Sequence, residues 1–273
     1  MNREKIVKDI INYLKFYKEY NNYSFNSDEM EESNSSIVLT HPEAAQFKNL
    51  KEEIISQPVL KSEERILSKN VSDDRILPLI QEDWMESKTL DSFAESIKDC
   101  PKCILLAKTR KQVVFGTGNP NADIVVVGEA PGSDEDQQGK PFVGRAGKLL
   151  TEILLSINFR REDIFICNIL KCRPPENRNP LPLEIANCEP YLFKQLEMIK
   201  PKLILALGTF ASQTLLQTKE PLGRLRGKFH TFKGIKMIVT YHPAALLRNP
   251  NWKRPTWEDV QLFRKEYDRL VST

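Results

Sequence analysis

The chain has 273 residues, of which 40% are hydrophobic and 28% charged, the balance of a globular protein with one large domain or one domain plus an appendage. No apolar run approaches the roughly 18 residues of a membrane span, and the charged start, MNREKIVKDIINYLKFYKEY, lacks the apolar core and small-residue cleavage site of a signal peptide. On these grounds neither a membrane-spanning nor a secreted protein is expected, and a cytoplasmic location is. The net charge of +3 hides an asymmetry: residues 1–97 carry 12 Lys and Arg against 19 Asp and Glu, whereas residues 98–273 carry 28 against 18. A basic domain behind an acidic leader points to a polyanionic partner, although solvated surface charge gives the same count.

In chain order, Ile6, Ile10, Leu14 and Tyr17 recur at helical spacing over residues 4–20. Residues 21–36, NNYSFNSDEMEESNSS, are too polar to build a core and are expected to be disordered. Residues 41–97 allow two or three weakly specified helices. The leader 1–97 is therefore read as an extension of helical and disordered character, with no assigned function. The pattern changes near Cys100. Asp123–Gly128 (DIVVVG) is a β-branched run ending in glycine, the mark of a strand buried on both faces. A Gly-rich loop follows, then a helix over 144–155, a strand over 164–169 and a helix over 183–199. A strand over 203–208, a helix over 211–216, a strand over 236–241 and a closing helix over 257–271 complete the order. Strands alternating with helices predict a three-layer α/β/α domain over 98–273 with a central, mostly parallel sheet. In such sheets the ligand sits at the carboxyl ends of the strands, where GEAPG, NILKCRPP and HPAALLR fall.

Five cysteines are present, Cys100, Cys103, Cys167, Cys172 and Cys188. In a reducing compartment this odd set favours metal ligation or buried thiols over disulfides. Cys100 and Cys103 form a C-x-x-C pair, while Cys172 and Cys188 have 15 residues between them. Four thiolates at these spacings suit zinc or an iron–sulfur cluster equally, and Cys167, inside a predicted strand, reads as a buried thiol.

Three long segments carry a resemblance: VVFGTGNPNADIVVVGEAPGSDEDQQGKPFVGRAGKLL (113–150), CNILKCRPPENRNP (167–180) and YHPAALLRNP (241–250). Together with the cysteine pattern they resemble the iron–sulfur-containing family 4 uracil-DNA glycosylases, from about Asp99 to Thr273. The leader lies outside the match. The resemblance implies base flipping and hydrolysis of the N-glycosidic bond of deoxyuridine in DNA, by a monomer acting in base excision repair. It also implies that Cys100, Cys103, Cys172 and Cys188 hold a 4Fe–4S cluster as a structural staple, with zinc the less favoured occupant.

Uracil excision leaves positive charge on the sugar and negative charge on the departing base. A site for it needs a stacking face, an edge reader, a donor to the uracil oxygen and negative charge near the sugar. Phe142 matches the family's stacking residue, and Asn168 can read the O4/N3 edge and reject the amino group of cytosine. His242 can donate to O2. Glu129 is assigned to water positioning or cation stabilisation, although Ala130 stands where family 1 enzymes carry an aspartate. Gly128 and Ala130 belong to the loop whose backbone approaches the base, and Glu135 is expected to shape the pocket against the thymine methyl. Asp134 and Asp136 are read as solvated loop acids. Leu246, Leu247 and Arg248 form the expected DNA-contacting wedge and phosphate grip, with Arg145, Arg173 and Arg178 as further backbone contacts. The competing reading is a non-catalytic iron–sulfur protein that binds nucleic acid and recruits a repair or replication partner.

Overall fold

A computed structural model describes residues 82–272; the expected helix over 4–20 and the polar stretch 21–36 lie outside the described residues. Among the described residues six strands form one sheet: β1 (Thr117–Gly118), β2 (Ile124–Gly128), β3 (Phe165–Asn168), β4 (Leu203–Leu207), β5 (Phe229–Phe232) and β6 (Ile235–Thr240), in the order β1-β3-β2-β4-β6-β5. The four central strands run parallel, and the two edge strands are antiparallel to their neighbours.

Alternation along the central strands builds two cores. Val125, Val127, Phe165, Cys167, Ile204, Ala206, Met237 and Val239 face one side. Ile124, Val126, Ile166, Leu203, Leu205, Leu207 and Ile238 face the other. With both faces buried, the strands need continuous apolar runs, which is why they were readable as such. The first core is covered by α1 (Leu90–Ile97), α2 (Ile104–Thr109), α5 (Pro182–Ile199) and α6 (Gly208–Leu216). The second is covered by α4 (Arg145–Ser156), through Leu150 and Leu154, and by α9 (Lys253–Val271), through Val260 and Phe263. The three-layer α/β/α architecture follows directly. Shorter helices α3 (Ser133–Gln138), α7 (Leu222–Leu225) and α8 (Pro243–Arg248) sit at strand exits and between strands. Among the described residues no helix is long and apolar enough to cross a membrane.

The packed region begins ahead of residue 98. Trp84, Phe93 and Ile97 are buried in the first core. Trp84 stacks on Phe93 at 5.6 Å and meets Tyr191 of α5 edge-on at 5.0 Å. α1 starts with a capping box in which Thr89 and Ser92 exchange side-chain-to-backbone bonds, so its first turn is closed locally.

Candidate active site

Four strand exits meet at one end of the sheet. Gly128 and Asn168 are partners in the parallel pair β2/β3. The ladder continues past them, with the Ile169 and Leu170 amides donating to the carbonyls of Gly128 and Glu129 at 3.0 Å each. This extension holds the GEAPG loop against the start of NILKC. Gly128 must be glycine: a Cβ there would lie 2.4 Å from Asn168 Oδ1 and 2.5 Å from Phe142 Cζ. The bare backbone therefore forms part of the wall on which the Asn168 amide and the Phe142 ring converge.

A cavity of about 390 Å³ opens here, lined by Glu129, Ala130, Glu135, Phe142, Asn168, His242 and Arg248 among others. The sequence-predicted base-binding residues thus come together, apart from Gly128, which backs the cavity through Asn168 and Phe142. Asn168 is 2% exposed. Its Oδ1 is the one buried side-chain nitrogen or oxygen without a hydrogen-bond partner among the described residues. Buried acceptors are almost always paired within a protein, which makes this atom an exception beside the cavity.

His242 lies two residues past the end of β6 and caps α8. Its Nδ1 accepts the Ala244 amide at 3.2 Å, which leaves the ring proton on Nε2. Its ring lies 5.4 Å from that of Phe142 at an interplanar angle of 31°. Burial, reinforced by the nearby Arg248 cation, drives the His242 pKa down to about 4, against a smaller opposing pull from Glu135. The imidazole is therefore neutral at neutral pH and is a donor through Nε2. Burial raises the Glu129 carboxyl to about 7, with Arg248 acting in the opposite sense.

Glu135 also has a structural part. Its carboxylate accepts the amides of Gly132 (3.1 Å), Val143 (2.9 Å) and Gly144 (3.0 Å). It borders the cavity while tying α3 to the loop that carries Phe142. Asp136 is a correction: it is buried, not solvated, and accepts the Lys111 amide at 2.9 Å. Asp134 is exposed as expected.

Leu246 is a second correction. At 1% exposure it packs into the protein and is not available to DNA, whereas Leu247 is 42% exposed. A one-turn helix puts adjacent residues on different faces, which the heptapeptide HPAALLR did not disclose. Arg248 is exposed at the rim. Arg178 also lines the cavity and holds Glu184 through two bonds of 2.9 and 2.6 Å, while Arg173 bonds Asn177 at 2.8 Å. Asn177 and Asn179 line the cavity as well. Sequence reasoning missed both, and the only signal was their place in the long motif ENRNP.

The four remaining thiols gather at the first core. Cys172 and Cys188 are buried in it and Cys100 and Cys103 pack against it. Polar groups lie against three of the sulfurs: Arg110 Nη1 donates to Cys172 at 3.2 Å, Asn187 Nδ2 to Cys103 at 3.6 Å, and Tyr191 Oη shares a hydrogen bond of 3.2 Å with Cys100. Burial pushes the Cys172 thiol to about 11 and the Cys188 thiol to about 12. Among the described residues, no three Cys, His, Asp or Glu side chains close on a single ion. Cys167 is buried on β3, away from solvent, as its place in the strand predicted.

Comparison with known proteins gives a consistent set of matches. The sequence model of the uracil DNA glycosylase superfamily matches residues 115–261. The chain is similar to the type-4 uracil-DNA glycosylase of Archaeoglobus fulgidus, at 49% identity over 64% of this chain and 91% of that protein. It is similar to the type-4 enzyme of Saccharolobus solfataricus at 47% identity, over 67% of this chain and 87% of that protein. A type-5 uracil-DNA glycosylase from Pyrobaculum aerophilum matches at 29% identity, over 62% of this chain and 88% of its own length.

Proposed function

The chain belongs to the uracil-DNA glycosylase superfamily, in its type-4 branch, and from that premise we propose the residue roles by which it excises uracil. It is a DNA-repair hydrolase: the N-glycosidic bond of deoxyuridine breaks, water adds to C1′ of the sugar, and uracil and an abasic site are released. The target nucleotide must leave the base stack to reach a cavity sunk at the sheet's end. Phe142 supplies the stacking face. The observation that carries the reading is the partnerless Asn168 Oδ1. It is suited to accept uracil N3–H while the amide nitrogen donates to O4. Cytosine offers neither complement, and a mismatch leaves buried polar groups unpaired.

As the bond breaks, negative charge collects on uracil O2. The neutral His242, with its proton on Nε2, is placed to donate to it without the cost of burying an imidazolium. Glu129 is assigned to the sugar side, where its carboxylate form stabilises positive charge or orients the attacking water. Leu247, rather than Leu246, is assigned to the gap left in the stack, and Arg248 to phosphate. A non-catalytic nucleic-acid binder would have no use for an acid, an imidazole and an unpaired amide converging in one cavity.

Cys100, Cys103, Cys172 and Cys188 are assigned to a 4Fe–4S cluster. The donor set is all thiol, and polar side chains lie against three of the sulfurs, as contacts that orient ligating thiolates do. Such a cluster supplies a structural cross-link between the C-x-x-C segment, the KCRPP loop and α5. Visible absorption with bound iron is the expected result, and a colourless zinc protein would overturn the assignment. Five unpaired thiols fit a reducing, cytoplasmic setting.

The deciding experiment treats a labelled oligonucleotide bearing one uracil with the purified holo-protein and then with alkali. Alkali-dependent cleavage at uracil, and none at thymine or cytosine, is expected. No cleavage on single strands, U·A or U·G pairs would overturn the reading.

A further inference from the structure

Phe142 presents its ring to the pocket from an unusual backbone. Its φ is 53°, in the left-handed region that residues with side chains seldom occupy. Such a conformation persists only where its surroundings over-determine it, and three groups do so here. Arg161 lies 19 residues along the chain, in the turn before β3. Its Nη1 donates to the Phe142 carbonyl at 2.9 Å and to Thr151 Oγ1 at 3.2 Å, and its Nη2 donates to the Pro141 carbonyl at 3.0 Å. Glu135 takes the next two amides, Val143 and Gly144. Gly147 of α4 presses from beneath, since a Cβ there would fall 1.9 Å from the Phe142 carbonyl oxygen.

Partial burial lowers the Arg161 proton affinity, and the nearby Glu135 carboxylate opposes that by favouring the charged guanidinium, so the two brackets stand close enough to interact. Arg161 is absent from the lining of the base-binding cavity, so whatever it does for the ligand passes through Phe142. A planar fork can span two successive carbonyls at once, which the point charge of a lysine cannot.

We propose that Arg161 is a positioning residue for uracil binding, which fixes the plane of the Phe142 ring beside His242 by holding the Pro141 and Phe142 carbonyls. The proposal rests on the reading of Phe142 as the stacking face. Stacking is preorganised only while the strained turn holds; without the fork, the backbone relaxes toward negative φ and the ring leaves its plane.

The test uses holo-protein and free uracil as a competitive inhibitor of excision, with DNA carrying an abasic site as a second ligand that offers no base to stack. Arg161→Gln is expected to raise the inhibition constant of uracil about fivefold to tenfold, the size of one lost aromatic stacking contact. Arg161→Lys should recover part of that loss, and affinity for abasic DNA should stay within about twofold of wild type. Phe142→Ala is measured alongside. If it weakens uracil and neither Arg161 variant does, the positioning role is wrong while the stacking reading stands. If Phe142→Ala leaves uracil inhibition unchanged, the stacking reading itself fails. Equal losses for uracil and abasic DNA would mean general damage and would also overturn the proposal. Should Arg161→Gln fail to fold, judged by its melting curve, Arg161→Lys decides: a wild-type inhibition constant in that variant refutes the role.

Discussion

Glu129 and His242 share one pocket, and burial moves their proton affinities in opposite senses, up to about 7 for the acid and down to about 4 for the imidazole. With the carboxylate as the working form, kcat/KM should rise with pH through about 7 and level off above it. The imidazole adds a fall only in strongly acidic solution, where it begins to take a proton. A pH–rate profile of Glu129→Gln is expected to lose the limb near neutrality, and its survival would assign that limb elsewhere. Arg248 gives a second handle. It stabilises the Glu129 carboxylate and opposes charging of His242, so Arg248→Met should move the limb to higher pH and the His242 ionisation upward too. Asn168→Ala and His242→Ala should each cut the excision rate, by about a hundredfold to a thousandfold if each removes one preorganised contact to the leaving base. Both should bind DNA nearly as tightly as the wild type in a gel-shift titration, and full excision activity in either would cancel its assignment.

The α8 segment shows how local geometry sorts neighbours into different trades. Leu246 is buried and Leu247 is exposed. Leu246→Ala is expected to cost about 2–4 kcal/mol of stability, as for other buried leucines, visible as a lower melting temperature. Leu247→Ala should melt like wild type and lose excision from duplex more than from single strands, where there is no stack to fill. Equal effects on both substrates would remove the wedge role. The sequence pattern revealed the central elements well, since β2, β3, β4 and β6 are buried on both faces and must be continuously apolar. It hid the edge strands, because Thr117–Gly118 and Phe229–Phe232 carry no such demand. It hid α3 too, where SDEDQQ has no apolar face to betray a helix. At the site, the resemblance carried by the three long motifs was what gathered Glu129, Phe142, Asn168 and His242. The motifs could not disclose that Glu135 spends its carboxylate on backbone amides, or that Arg161 stands behind Phe142, because both are contacts between distant segments with no periodic signature.

For the whole molecule, the acidic leader and the basic remainder do not divide where the charge changes. Trp84, Phe93 and Ile97 are core residues, so a fragment beginning at Gln81 should fold and excise uracil. One beginning at Asp99 should lose the aromatic cluster around Tyr191 and melt at a markedly lower temperature. Comparable melting curves for the two fragments would refute this placement of the domain's start. The excess of Lys and Arg over residues 98–273 should appear as a steep loss of DNA affinity with added salt. The edges of the sheet have a bearing on handling such a protein. One side ends in a strand of two residues, the other in a four-residue hairpin partner turned back by Lys233 and Gly234. Both edges run antiparallel to a parallel centre and offer little unpaired backbone to a neighbouring copy. A domain whose β-branched interior would otherwise invite fibrous stacking thus closes its own template, and concentrated solutions of it should resist strand-by-strand aggregation.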